Sequence, residues 1–439
     1  MAARQSENAW RVLALLFLVN LLNFFDRTIP AIVNEPIRLE WGLSDLQLGL
    51  VGSSAFTVIY ALAGVPLGRL ADTGSRKRIL CWGLSAWSGM TAATGLAQNY
   101  LSFFLIRLGV GIGEASCTPA ATSMIGDMFP AHRRATAMGV FMLGLPIGLV
   151  LAFFTTGAMV QAFGSWRAPF FIAALPGFLV AALVLLVREP ARGAAEEVAV
   201  ADAPVADPMR KVLRIRTMLW IVLAGVTLNF GSYAGNGFLV SLLQRYYGLP
   251  IETAAVLTGV IVGLTGLVGL TLGGRIADAV HRRGERGRLL FGAACLTAAA
   301  PLTFFALEAG AAALTSFVVL FAVGWLFQYA FYTTVYPAIH DVVQPRLRAT
   351  AMALYFAGVY LLGGAAGLVV VGGLSDHFAE RAMQAAGAAA MAEPFRAAGL
   401  HGAMYLIPVM MALTGLFIFM ASRTFAADAA RMRREMAGG

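Results

Sequence analysis

Charge is what this sequence has little of. Asp, Glu, Lys and Arg make up 13% of its 439 residues, against about 25% in soluble domains, and that shortage excludes an ordinary water-facing surface. Cysteine is scarcer still. Cys81, Cys117 and Cys295 lie far apart inside apolar stretches, without disulfide, metal or redox spacing, and read as packing residues. The five histidines, His132, His281, His340, His377 and His401, sit near the edges of apolar stretches with no metal-binding company. A Gly-rich phosphate loop ending in Lys-Ser or Lys-Thr is lacking, which argues against ATP hydrolysis. With no catalytic apparatus in view, neither an enzyme nor a cofactor is expected. The polar start, Met1 to Arg11, runs into an apolar stretch that continues past Pro30 without a small-residue cleavage site, so no removable signal peptide is expected.

What is present is apolar: 59% of residues are hydrophobic, in runs long enough for the roughly 20 residues a helix needs to cross a bilayer. Twelve such spans are expected, at 10–33, 45–70, 78–97, 100–127, 134–161, 167–188, 217–246, 252–278, 288–309, 312–341, 348–374 and 400–423. The fold class is therefore all-α and integral to the membrane. The long stretch 375–399 falls between the last two spans as a loop.

The net charge of +9 would suit nucleic acid if it were spread evenly, but it is not. Most of the 32 Lys and Arg fall in alternate loops, including Arg76, Lys77 and Arg78, Arg133 and Arg134, Arg282 to Arg288, and Arg431 to Arg434. The opposite loops carry only Arg38, Arg167, Arg245, Arg381 and Arg396. The positive-inside rule then puts both termini in the cytoplasm, with the lipid bilayer and not nucleic acid as the partner.

Between Arg188 and Arg216 the chain is rich in Ala, Pro and charge and reads as a cytoplasmic linker. The expected division is a six-helix bundle at 1–188, a linker at 189–216, a second bundle at 217–424 and a tail at 425–439. Either side of the linker the sequence repeats. Leu22-Asn23-Phe24 recurs as Leu228-Asn229-Phe230 and Gly68-Arg69-Leu70-Ala71-Asp72 as Gly274-Arg275-Ile276-Ala277-Asp278, both 206 positions on. Arg134-Ala135-Thr136-Ala137-Met138 recurs as Arg348-Ala349-Thr350-Ala351-Met352, 214 positions on. Three matches in order at nearly one offset imply two parallel repeats, as in transporters whose halves rock about a central site.

Gly68-x-x-x-Asp72-x-x-x-Arg76-Lys77-Arg78, between the second and third spans, resembles the loop signature of the major facilitator superfamily. It departs from the pattern at Thr73, where a basic residue is usual, and at Ser75, where glycine is common. Arg107-x-x-x-Gly111-x-Gly113-Glu114 in the fourth span matches a second signature of that superfamily. The wording Gly111-Ile112-Gly113-Glu114-Ala115-Ser116, with Asn20 to Arg27 in the first span, resembles the Spinster family. The resemblance implies two pseudo-symmetric six-helix bundles around a central cavity, a monomer, and a carrier of lipid-like amphiphiles such as sphingosine-1-phosphate or lysophospholipids. It also implies a cytoplasmic gate, for which Gly68, Asp72, Arg76, Asp127, Arg134, Gly274, Asp278, Asp341 and Arg348 are the candidates. Topogenic anchoring alone would explain Lys77 and Arg78 but not the recurrence at Asp278. Gly139, Gly144, Pro146 and Gly148 form a degenerate antiporter motif, or else a Pro-kinked, closely packed helix.

Asp26, Arg27, Arg107 and Glu114 lie inside the first and fourth spans, whose other charges, Arg11 and Asp127, stand at the ends. Each Asp or Arg costs about 2.5 to 3.5 kcal/mol at a helix centre on insertion scales, so they must be paired or hydrated. Arg107 and Glu114, two turns apart, share a helix face. In the fold that the resemblance implies, the first and fourth spans both border the central cavity, so Arg27 with Glu114 or Asp26 with Arg107 are reachable pairs, and the four are the candidates for proton coupling and substrate binding. The repeat places Ser232, Tyr233, Phe321 and Gln328 at the equivalent positions. A purely architectural salt-bridge cluster would appear in both halves. The expectation is that the first half carries ion coupling and the second a neutral wall, from Asn229, Tyr233, Asn236, Gln328, Phe331, Tyr332 and Tyr336, with Asn23 lining the first half. Proton-coupled organic anion or drug transport is the alternative within transport. A membrane receptor or enzyme is the alternative outside it, against which the paired loops argue.

Overall fold

The computed structural model describes residues 2–54, 57–60, 62–63, 66–67, 70, 74–129, 131–191, 207–344 and 347–437. Every regular element among them is a helix. Ten helices are long and apolar enough to cross a bilayer: Ala9–Ile32, Tyr100–Met128, Thr136–Phe163, Ala168–Leu186, Arg216–Arg245, Ile251–His281, Gly287–Glu308, Leu314–Val342, Thr350–Ala385 and Glu393–Glu435. They fall on ten of the twelve expected spans, but most of the stretch 375–399 expected as a loop is helical, because Ala365–Ala385 runs on into it and Glu393–Met404 begins within it. Of the other two spans, the third is the helix Arg76–Thr94, whose first turn is basic. The second is described in part, as the helix Asp45–Gly49 and the π-helical turn Leu50–Ser54.

Local chemistry sets the helix ends. Asn99 starts the fourth span with a capping box: its side chain accepts from the Ser102 N–H, and Ser102 accepts from the Asn99 N–H. Gly164 ends the fifth span in the left-handed region, at φ 63°, where a residue without Cβ is least strained. The twelfth span does not stop at its expected end, residue 423. Leu406–Ala437 is one helix of 32 residues, and Phe425 and Ala429, in the stretch expected as a tail, are buried in an apolar core with Ile221, Leu289 and Val343. Asp428 holds it there by accepting from the backbone N–H and hydroxyl of Thr217, at 2.9 and 2.7 Å.

The chain forms two compact units. The first comprises Met1–Leu43, Ala55–Val200 and Pro250–Gly259; the second comprises Ser44–Ser54, Ala201–Leu249 and Val260–Gly439. Each takes in a short stretch of the chain that otherwise builds the other. Those two stretches, 44–54 and 250–259, are 206 positions apart, the same displacement as the internal repeat.

Within each unit, glycines let the site-bearing helices touch. A Cβ on Gly148 would meet the Leu21 carbonyl oxygen of the first span, and one on Gly367 would meet the Phe230 carbonyl oxygen of the seventh. Only glycine permits that approach. Gly144 would likewise meet Leu21 and Asn20, while Gly139 has open space, so two of the four antiporter-motif residues sit in a helix contact.

Candidate functional site

Helix periodicity splits the adjacent charges of the first span. Consecutive residues project about 100° apart, so Arg27 turns toward the fourth span and Asp26 toward the third. Arg27 donates to Glu114 Oε2 from Nη2 at 2.9 Å and from Nε at 3.2 Å. Its Nη2 also reaches Asn23 Oδ1 at 3.3 Å. The Glu114 side chain is fully buried, whereas that of Arg27 keeps 19% of its surface exposed. The rings of Phe24 and Tyr60, 5.0 and 5.1 Å from the guanidinium carbon, flank the cation as aromatic faces do.

Asp26 and Arg107 are both buried, yet they form no direct pair. Asp26 Oδ2 accepts from the Thr91 hydroxyl at 3.5 Å. Asp26 Oδ1, Arg107 Nε and Nη1, Glu114 Oε1 and Asn23 Nδ2 are buried without a hydrogen-bond partner. Buried polar atoms in such numbers call for water, a proton or a ligand, because unsatisfied groups of this kind are otherwise rare.

The equivalent positions of the second unit are neutral and satisfied. Gln328 Nε2 donates to Ser232 Oγ at 3.0 Å, joining the counterparts of Glu114 and Asp26. Phe321, where the first half has Arg107, stacks on Trp325 with centroids 5.3 Å apart. Tyr233, where the first half has Arg27, meets Tyr360 edge-on at 6.5 Å. Tyr332 and Tyr336 are half-buried and in mutual contact at 5.7 Å, and Tyr336 meets Tyr355 at the same separation. Phe331 has no exposed surface and belongs to the apolar core. Asn229 donates to the Gly225 carbonyl at 3.1 Å, and Asn236 Oδ1 is buried without a partner.

Of the gate candidates, Gly68 and Asp72 and the side chains of Arg134 and Arg348 lie outside the described residues. Arg76, 1% exposed, pairs with Asp127. It also binds Glu189, through Nε at 3.2 Å and its backbone N–H at 2.8 Å, and donates to the Pro190 carbonyl at 2.6 Å. Glu189 is held below the usual carboxylate range. Burial alone would raise it, but hydrogen bonds from Ser75 and Arg76 and the charge of Arg76 outweigh burial. The second unit has a looser version: Arg288 reaches Asp278 at 3.1 Å and Asp341 at 3.3 Å, with Asp278 65% exposed. A Cβ on Gly274 would make ordinary contact with Thr333. Sequence reasoning misses Glu189 and Arg288, the one reading as the start of a linker and the other as one more basic loop residue.

Known proteins share this architecture. The family model described as Major Facilitator Superfamily matches residues 16–368. An MFS-type efflux pump of Mycolicibacterium smegmatis is 30% identical over 376 residues, 85% of this chain and 86% of that protein. Protein spinster homolog 1 of Xenopus laevis is 29% identical over 387 residues, 83% of this chain and 73% of its own. The crystal structure of a bacterial homolog of the human lysosomal transporter Spinster, inward-facing and unoccupied, matches with a TM-score of 0.86 at 28% identity, over 96% of this chain and 98% of that one.

Proposed function

Because the chain belongs to the major facilitator superfamily, we propose that it is a proton-coupled secondary carrier moving an amphipathic, lipid-like substrate by alternating access. The observation that carries this reading is the buried group on the first and fourth spans. One ion pair, Arg27 with Glu114, is made there, while Asp26, Arg107 and Glu114 keep buried atoms without partners. Ionisable residues in a membrane span mark ion or substrate pathways. A carboxylate bound to a partly exposed arginine supplies an exchange: protonated Glu114 gives up its ion pair with Arg27, and the guanidinium takes an anionic headgroup in its place. When Glu114 gives up its proton the pair re-forms and the headgroup is displaced. The aromatic residues of the second unit suit an apolar chain. Likeness to Spinster proteins supports a sphingosine-1-phosphate-like or lysophospholipid-like substrate.

Alternating access requires gates. Arg76 with Asp127 and Arg288 with Asp278 and Asp341 are the cytoplasmic contacts we assign to that role, together with Gly68, Asp72, Arg134, Gly274 and Arg348 from the repeated loops. Both termini are assigned to the cytoplasm, on the loop charges. The carrier is assigned as a monomer.

The test is flux of a single-chain phospholipid by purified protein in liposomes, with and without an imposed pH gradient. Gradient-dependent flux that disappears in Glu114→Gln is the expected result. Flux indifferent to the gradient, or a Glu114→Gln variant at the wild-type rate, would remove Glu114 from coupling. A second reading, proton-driven drug efflux, is favoured by the 30% identity to an efflux pump. Competition between a cationic drug and the lipid separates the two.

A further inference from the structure

We propose that Asp45, Arg245 and Ser375 form an outer lock of the transport cycle, which must break each time the carrier opens to the side opposite its basic loops. The lock lies within the second unit. Arg245 Nη1 and Nη2 each donate to an Asp45 carboxylate oxygen at 2.8 Å, and both side chains are 2% exposed. The Ser375 hydroxyl donates to Asp45 Oδ2 at 2.6 Å. Asp376 accepts from the backbone N–H groups of Asp45 and Leu46 at 3.0 and 2.9 Å. A Cβ on Gly372 would meet the Asp45 carbonyl, so backbone touches backbone beside the pair.

The path of the chain makes this a lock and not simply a core contact. Residues 44–54 pack with the second unit, yet the chain before Ser44 and after Ser54 belongs to the first. Their last residues, Leu50–Ser54, form a π-helical turn, a wide turn that recurs at functional sites. The repeat confirms the placement: 250–259 packs with the first unit, and a π-helical turn, Gly259–Leu264, begins at its end. There the contact is close, with Gly157 against the backbone of Ile251 and Glu252, and Gly259 against the side chains of Phe153 and Phe154. The repeat counterparts of Asp45, Arg245, Ser375 and Asp376 are Ile251, Leu39, Gln161 and Ala162. The Asp45–Arg245 pair therefore has no equivalent at the symmetric crossing. A bidentate pair taken out of water is strongly disfavoured once a partner is removed, so its integrity sets how much of the population is closed on that side.

The inference rests on the alternating-access reading, but its test needs neither substrate nor pH gradient, so the two fail separately. Leu46→Cys and Gly373→Cys are introduced into protein lacking Cys81, Cys117 and Cys295; a Cβ at Gly373 lies 3.7 Å from Leu46 Cδ1. Oxidative cross-linking in liposomes follows the closed population. Asp45→Asn should slow it by about tenfold or more, and Asp45→Arg combined with Arg245→Asp should recover most of the rate. Ser375→Ala should give an intermediate rate. Unchanged cross-linking in Asp45→Asn, or a charge-swapped pair no faster than the single variant, overturns the proposal. If Asp45→Asn does not insert, Ser375→Ala decides, and an unchanged rate there overturns it equally.

Discussion

Within its first and fourth spans the first unit buries Asp26, Arg107 and Glu114 beside a partly exposed Arg27, while the second unit has Ser232, Tyr233, Phe321 and Gln328 at the matching places. Both pack their helices through the same kind of glycine contact, Gly148 on Leu21 and Gly367 on Phe230. The second unit thus acts as a control for the first: this helix arrangement closes with a neutral Gln328–Ser232 hydrogen bond and a Phe321–Trp325 stack. Charges that the architecture does not need, and that are expensive in a membrane, point to a task.

The largest effect expected from that contrast is on coupling. Glu114→Gln makes the first unit resemble the second, and should leave the helices in place, because an amide already occupies the equivalent site. pH-driven flux should fall by about a hundredfold or more, on the scale of losing a proton-transfer group. Wild-type flux in that variant would equate the two units. Converting in the other direction, Gln328→Glu puts a carboxylate beside Ser232 with no arginine at the Tyr233 or Phe321 positions. It should create no coupling.

Stability comes next. Arg27→Ala leaves the fully buried Glu114 without its cation and should cost about 3 to 5 kcal/mol, the range for breaking one side of a buried pair. Arg27→Lys should recover part of it, and thermal unfolding in detergent reads both. Removing the corresponding neutral bond, by Gln328→Ala with Ser232 intact, should cost only about 1 to 2 kcal/mol. Equal losses in the two units would mean that charge is not what distinguishes them.

Some of this contrast is written in the sequence, and some is not. Spans are legible because bilayer thickness fixes their length, and the buried charges because they interrupt those spans. Arg27 with Glu114 is a reachable pair once the resemblance sets the first and fourth spans beside one cavity. That Asp26 faces Thr91 and leaves Arg107 without a direct partner depends on helix rotation, which periodicity does not fix when both neighbours are charged. Asp45 and Arg245 are illegible for a different reason: 200 positions separate them, and each stands at the end of a span, where charge ordinarily means solvent. The π-helical turns that carry the chain between the units have no residue signature. Glu189 follows Arg188 directly and looks like linker until Ser75 and Arg76 close on it.

The clusters around Arg76 and Arg288 give a smaller effect of the same kind. Arg76→Gln strips a buried cation from Asp127 and Glu189 and should cost about 2 to 3 kcal/mol. Arg288→Gln acts on more exposed partners and should cost under about 1 kcal/mol. Acid should weaken the Arg76 cluster through Glu189. Glu189 is depressed in the folded protein, so its contribution is complete above the ordinary glutamate value of about 4.3. It is lost as pH falls through the lower folded value. The unfolding-temperature gap between wild type and Arg76→Gln should therefore narrow below about pH 4; a gap independent of pH would disconnect Glu189 from Arg76.

The smallest effect lies beside an aromatic contact that both repeats keep. Trp41 meets Phe103 edge-on at 5.7 Å, and their counterparts Tyr247 and Phe317 meet at 5.0 Å, so an aromatic contact is kept in both units. Beside it the chemistry diverges again. Glu40 accepts from Arg167 at 2.7 and 2.8 Å and from the Trp166 indole at 2.6 Å, whereas its counterpart Tyr246 stacks on His401 at 4.2 Å. The Arg167 hydrogen bonds lead in lowering Glu40 to about 2. A depressed carboxylate stabilises the fold above its unfolded value of about 4.3 and loses that contribution as pH falls toward about 2. Water screens the pair, in which Glu40 is 40% and Arg167 29% exposed, so the stabilisation should stay under about 1 kcal/mol. Wild type should unfold about 2 °C above Glu40→Gln at pH 5, with less than about half that gap at pH 3. Tyr246→Phe in the second unit removes no carboxylate, and its small shift should be the same at both pH values; a gap that narrowed there as well would mean that acid acts on the outer face generally and not through Glu40.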